Sequence, residues 1–222
     1  MAIIYHSLPK IKKGITSVIG SGGKTSLIHT LCRKLTENGT VIFCTTTNIY
    51  PSEEIFSMNN PDAASVMHEL AHRKAVCIGK LNEKGKFSAS DTDFNTLKNI
   101  SDYVLVEADG SRHLPIKAFA PHEPVIPEGC ENVIQVIGAS GIGQKIKDCV
   151  HRYEVFCNIL NCGENDIVTV EKIAAVINSK KFCNSVFVNQ IDNEQMLYIP
   201  ERLAELIDVP IYYGSLQNDF RD

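Results

Sequence analysis

Residues 20 to 26 read GSGGKTS, follow the apolar run ITSVIG and lead into Leu27 and Ile28. Gly20, Gly22 and Gly23 let backbone N–H groups turn inward around an anion, because a residue without Cβ takes positive φ at little steric cost. A helix opening straight after them adds the partial positive charge of its free amides. Lys24 is long enough to reach terminal phosphates, and Thr25 is placed to offer its hydroxyl to Mg²⁺, with Ser21 and Ser26 completing the loop. Such a loop binds a nucleoside triphosphate, and it needs an acid from a neighbouring strand to hold the Mg²⁺ water shell. YVLVEADG, residues 103 to 110, delivers Glu107 and Asp109 at the end of the most apolar strand candidate. Lys24, Glu107 and Asp109 are the catalytic candidates, and Thr25, Glu107 and Asp109 the Mg²⁺ candidates. Spacing leaves open which carboxylate faces the metal.

SVFVNQID, residues 185 to 192, ends another apolar run in polar groups. Asn189 and Asp192 resemble the guanine-recognising N-K-x-D motif, with Gln190 in the lysine position. A carboxylate there accepts two hydrogen bonds from the N1 and N2 edge of guanine, a pairing adenine cannot supply. GTP is favoured over ATP on that ground, and both remain open. Tyr213-Gly214-Ser215 sits where a short backbone loop can close over the base. The phosphate loop departs from the full Walker pattern, which wants a glycine where Val18 stands. The shorter G-x-x-G-K-T-S resembles the loops of Mur-type ligases and of metal-insertion GTPases, and Glu107 to Gly110 resembles the E-x-x-G motif of the latter.

These residues need a scaffold that gathers strand ends at one edge. Near-continuous apolar runs at 15–20, 40–46, 75–79, 103–107, 132–138, 185–190 and 211–214 read as strands covered on both faces. Helical patterns begin near Lys24 and recur at 62–73, 92–100, 150–160, 170–179 and 199–207, with Asn38-Gly39 supplying a left-handed stop for the first. The spacing predicts one P-loop NTPase-like α/β domain over residues 1–222, a mostly parallel sheet of about seven strands with helices on both faces. Residues 110–131 hold four prolines and two glycines and read as an irregular insertion. Loops of that length in a compact domain are usually functional. Arg112, Lys117, His122 and Glu123 lie on it, just beyond the acidic strand end, where they can grip an anionic second substrate. Thr45, Thr46 and Thr47 end the second strand on the edge where open α/β sheets bind ligands.

Composition narrows the function classes. A length of 222 residues supports one substantial core, and a net charge of -4 with pI near 6.0 gives no footprint for nucleic acid or an anionic membrane. The apolar patch before Pro9 is too short for a signal peptide and no run reaches membrane-spanning length, so a cytoplasmic protein is expected. Of the eight cysteines none shows C-x-x-C spacing. Cys44 and Cys77 read as small core hydrophobes, and Cys157 and Cys162 are the pair open to reactivity. HELAH, residues 68 to 72, matches a zinc string but is followed at once by a strand, which favours a solvated helix face. Gly138, Gly141 and Gly143 run in the reverse order of a dinucleotide loop and read as a turn near the nucleotide.

GSGGKTS, TTTNIYP (45–51), EADGSRHLPIKAFAPHEPVIP (107–127), VHRYE (150–154) and VNQID (188–192) together resemble the YqeC-type family of accessory proteins for selenium-dependent molybdenum hydroxylases. Tyr153 stands where R-P-E is more usual, and Asn48 where histidine is common. The resemblance implies a nucleoside triphosphatase that assists maturation of a molybdenum hydroxylase or its cofactor. A Mur-like ATP-dependent ligase or kinase acting on a small anion, and a nucleotide-gated carrier or adaptor, are the alternatives the residues allow.

Overall fold

A computed structural model describes residues 2–219. The strands are β1 (Ile4–His6), β2 (Gly14–Gly20), β3 (Val41–Thr45), β4 (Ser57–Asn59), β5 (Ala75–Leu81), β6 (Phe87–Ser88), β7 (Tyr103–Glu107), β8 (Ile116–Lys117), β9 (Asn132–Gly138), β10 (Val150–His151), β11 (Ser185–Asn189) and β12 (Ile211–Tyr213). The α-helices are α1 (Lys24–Leu35), α2 (Ala63–Arg73), α3 (Phe94–Ile100), α4 (Ile146–Cys149), α5 (Tyr153–Leu160), α6 (Val170–Lys180) and α7 (Tyr198–Leu206). Nine strands run in the order β1-β12-β11-β9-β2-β7-β3-β5-β4, every neighbouring pair parallel, and β6 adds an antiparallel tenth beside β5.

Strand alternation sorts the core. Val18, Phe43, Leu105, Val136 and Phe187 pack with Leu27, Ile28 and Leu31 of α1. On the opposite face, Ile42, Val76, Val104 and Val106 meet Val66, Leu70 and Leu97 of α2 and α3, while Ile137, Val186 and Val188 meet α5, α6 and α7. Helices therefore flank both faces, as the buried, non-alternating strands require.

The seven long apolar runs all form strands, but the sheet is wider than seven. Its added members are two or three residues long and owe their conformation to a partner strand. Val150–His151, expected in a helix, instead pairs with β8 inside the proline-rich insertion, and Arg152 turns the chain with φ of +63° before α5 begins. The insertion is otherwise without helix or strand. α1 ends at Thr36 in right-handed conformation, so Asn38-Gly39 supplies no left-handed stop. Gly39 answers a different need: a Cβ there would lie 2.5 Å from an Asp102 oxygen. All eight cysteines are free, and Cys44 and Cys77 are buried. Among the described residues no helix is long and apolar enough to cross a membrane.

Candidate nucleotide site

Register gathers the candidates on the carboxyl edge of the sheet. Glu107 at the end of β7 stands opposite Val18 of β2 on one side and Thr45 of β3 on the other, and Gly138 of β9 stands opposite Asn189 of β11. The turn from β2 to α1 projects from the middle of that edge.

The turn uses glycine where no other residue fits. Gly20, Gly22 and Gly23 have φ of +92°, +90° and +123°. A Cβ would come within 2.3 Å of the Val136 carbonyl oxygen at Gly20, 2.3 Å of Gly138 N at Gly22 and 2.4 Å of Asn189 Nδ2 at Gly23. Ser21, fully buried, donates its hydroxyl to the Leu114 carbonyl and its N–H to Val136 O. Gly23 caps α1 with no side-chain acceptor, whereas Asp62, Asp93 and Thr169 cap α2, α3 and α6. Among the described residues no acceptor takes the N–H groups of Gly22, Gly23, Lys24, Thr25 or Ser26. Unpaired main-chain donors gathered at a helix mouth attract an anion.

Lys24 folds back into this turn. Its ammonium donates to Gly20 O at 2.9 Å and lies 2.9 Å from Asp109 Oδ1 and 3.7 Å from Glu107 Oε1, with its side chain 2% exposed. Asp109 is fully buried; Oδ2 accepts the Gly20 N–H, and Oδ1 has the Lys24 ion pair but no aligned hydrogen bond. Thr25 donates its hydroxyl to Glu107 Oε2 at 2.7 Å. Burial pushes the Glu107 carboxyl above the usual range, against the opposing Lys24 charge and Thr25 hydrogen bond. The two acids are thus distinguished: Glu107 shares an oxygen edge with Thr25, and Asp109 serves the loop itself.

The base-side candidates come together less tightly. Asn189 donates to Gly22 O at 2.8 Å and accepts from Leu216 N at 3.1 Å, bracing the phosphate loop against the segment after β12. Gly214 N donates to Val188 O and Ile191 N to Gly214 O, laying residues 214–219 alongside 189–192. Asp192 is exposed and among the described residues accepts only from Asn218 Nδ2, at 3.2 Å. Gln190, at φ of +68°, accepts from the Ser140 hydroxyl, tying the glycine-containing turn after β9 to the same edge.

The second-site candidates divide. Lys117 is fully buried, donates to Gly110 O, and lies 3.6 Å from Asp109 Oδ2 and 3.1 Å from Glu123 Oε2. Glu123 also accepts from Arg152 Nε at 2.7 Å. Lys117 and Glu123, expected to grip an anionic substrate, face each other in this structure. Burial lowers the Lys117 ammonium. It also pushes Glu123 up, but the Arg152 hydrogen bond and the Lys117 charge outweigh that and hold the carboxyl at about 2. Arg112 is exposed and has no ion-pair partner among the described residues, and His122, also exposed, lies 3.4 Å from Arg152 Nη2. Arg152 lies in VHRYE, and no local spacing marks it as the partner of Glu123, 29 residues away. Thr45 donates to Glu107 O, Thr46 to Val125 O, and Thr47 lies 3.3 Å from the Thr45 hydroxyl. His29, one turn beyond Thr25, anchors the segment after β3 through Ser52 at 3.1 Å and Glu54 at 3.2 Å.

On α2, the His68 and His72 rings meet edge to face at 4.8 Å and Glu69 pairs with Arg73. Among the described residues no three His, Cys, Asp or Glu side chains converge on a metal position.

Residues 16–154 match the family model described as YqeC protein, a span that contains the phosphate loop, Glu107, Asp109, the insertion and Arg152. The chain belongs to the YqeC family. It is 33% identical over 172 residues to the uncharacterized protein YqeC of Escherichia coli (strain K12), covering 73% of this chain and 67% of that protein. Asn189 and Asp192 lie beyond the span of the family model.

Proposed function

We propose that the protein binds a nucleoside triphosphate with Mg²⁺ in the loop Gly20–Ser26 and hydrolyses it. One observation carries the reading: the five consecutive N–H groups from Gly22 to Ser26 have no acceptor among the described residues, at a helix mouth beside the ammonium of Lys24. On binding, Lys24 exchanges Gly20 O and Asp109 for phosphate oxygens, and the loop amides hold the remaining negative charge. Phosphoryl transfer asks mainly for such positioning and charge stabilisation. Thr25 and Glu107 are hard oxygen donors side by side and would hold the Mg²⁺, which supplies charge neutralisation at the phosphates. Asp109 holds the loop through Oδ2, which accepts the Gly20 N–H, while its Oδ1 faces the Lys24 ammonium until phosphate takes that place.

The exposed Asp192 carboxylate supports a preference for guanine, since N1–H and N2–H are both donors and Asn218 is its one competing partner among the described residues. Asn189 would link base and phosphate recognition, because it bonds both loops. The role in maturing a selenium-dependent molybdenum hydroxylase is supported by the family resemblance of the motifs.

Calorimetric titration of Mg²⁺ with GTP, ATP and non-hydrolysable analogues tests this reading. Binding with GTP preferred is expected. Lys24→Ala should weaken it by about 10- to 100-fold, the worth of one charge-assisted contact. Asp192→Asn should erase the preference. A chain that binds neither nucleotide, or binds equally well without Lys24, overturns the assignment.

A further inference from the structure

We infer that Glu123 and Arg152, at the outer end of a row of alternating charges, are positioning residues that set how readily Lys24 is released to a phosphate group. This rests on the nucleotide reading above and concerns the regulation of that site. The row runs Lys24, Asp109, Lys117, Glu123, Arg152, with successive separations of 2.9, 3.6, 3.1 and 2.7 Å. Its side chains are 2%, 0%, 0%, 10% and 31% exposed from the loop outward. Inside such a row water screens little, so what one contact gains its neighbour loses.

Lys24 cannot move to a phosphate without thinning the charge around Asp109, a carboxylate with no solvent to fall back on. Among the described residues Lys117 is the other cation within reach of Asp109, and its place decides how costly that move is. Lys117 is itself shared with Glu123, and Glu123 is shared with Arg152. Removing the Glu123 charge leaves Lys117 wholly to Asp109, so Lys24 is freed and triphosphate binds more tightly. Removing the Arg152 charge makes Glu123 depend on Lys117, draws it from Asp109, and leaves Asp109 holding Lys24. An anionic group that pulls Arg152 outward acts in the second direction and, by reciprocity, is itself weakened by bound nucleotide.

The two members of one ion pair therefore have opposite effects, which a purely structural role does not produce. Affinity for Mg²⁺ with a non-hydrolysable triphosphate is measured for the wild-type chain, Glu123→Gln, Arg152→Gln and Arg152→Lys, each checked by circular dichroism. Glu123→Gln should tighten binding and Arg152→Gln weaken it, each by about fivefold, the lower range for linked sites. Arg152→Lys should stay near wild type. The opposite signs should persist in about 0.5 M salt, where a field acting through solvent is screened within a few ångström. If Glu123→Gln fails to fold, the double variant Glu123→Gln/Arg152→Gln carries the test, because it removes the pair together and should also bind more tightly. Single variants that both weaken binding, that shift it by less than about twofold, or that lose their opposition in salt overturn the inference while leaving the nucleotide site standing. A wild-type chain that binds no triphosphate is a different failure, of the function itself.

Discussion

Replacing Lys117 with methionine removes the central cation of the buried row while keeping most of its length. Its ammonium lies 3.6 Å from Asp109 and 3.1 Å from Glu123, and the side chain is fully buried. At an effective dielectric near 20, each contact is worth about 5 kcal/mol before desolvation. Desolvating the ammonium takes back several kcal/mol, and Asp109 and Glu123 keep Lys24 and Arg152 as second partners. The net loss expected is about 3–5 kcal/mol, the range for breaking a buried ion pair from one side. In urea unfolding, a slope of about 3 kcal/mol per molar converts this into a midpoint lowered by about 1–2 M. Adding Glu123→Gln should return part of the loss, since a largely buried carboxylate left with only one of its two cations is then gone. A midpoint shift corresponding to less than about 1 kcal/mol would show that Lys117 is not a structural counter-charge and would refute the reasoning.

Gly22→Ala should destabilise the chain by about 2–4 kcal/mol, summing left-handed strain and overpacking, because φ is +90° and the new Cβ would meet Gly138 N at 2.3 Å and Pro115 O at 2.8 Å. Chemical denaturation that finds no loss would mean the loop is not pressed against β9. Burial, with the charges of Lys117 and Arg152, pushes His151 down to about 4. The folded chain then binds fewer protons than the unfolded one, so stability present above about pH 6.5 falls as pH drops towards 4. His151→Gln should flatten that part of the pH–stability curve, and an unchanged curve would assign the loss elsewhere.

The long strands were legible because burial on both faces writes itself as uninterrupted apolar sequence, as in SVFVN and YVLVE. Ile4–His6, Ser57–Asn59 and Phe87–Ser88 were not, since strands of two or three residues carry no period and exist through their partners. Val150–His151 misled because its apolar pattern continues smoothly into α5, and only pairing with β8 separates them. In the site, Lys24 and Thr25 could be read from local spacing, because a strand–loop–helix unit fixes their geometry within a few residues, and Glu107 from its place at the end of an apolar run, although only the register of β2 with β7 brings it to Thr25. The roles of Lys117, Glu123 and Arg152 depend on how an irregular segment folds back on itself and on a Glu123–Arg152 contact that spans 29 residues. Type and position suggested exposed ligands for an anion, whereas tertiary pairing turns Lys117 and Glu123 inward.

The central claim is that the free amides of the β2–α1 turn receive phosphate, and amide NMR reports on those groups directly. Titrating ¹⁵N-labelled protein with Mg²⁺ and a non-hydrolysable GTP analogue should shift the Gly22, Gly23, Lys24 and Thr25 resonances together, saturating with one midpoint. Resonances that stay in place under saturating nucleotide, or that move only at residues remote from this turn, would contradict it.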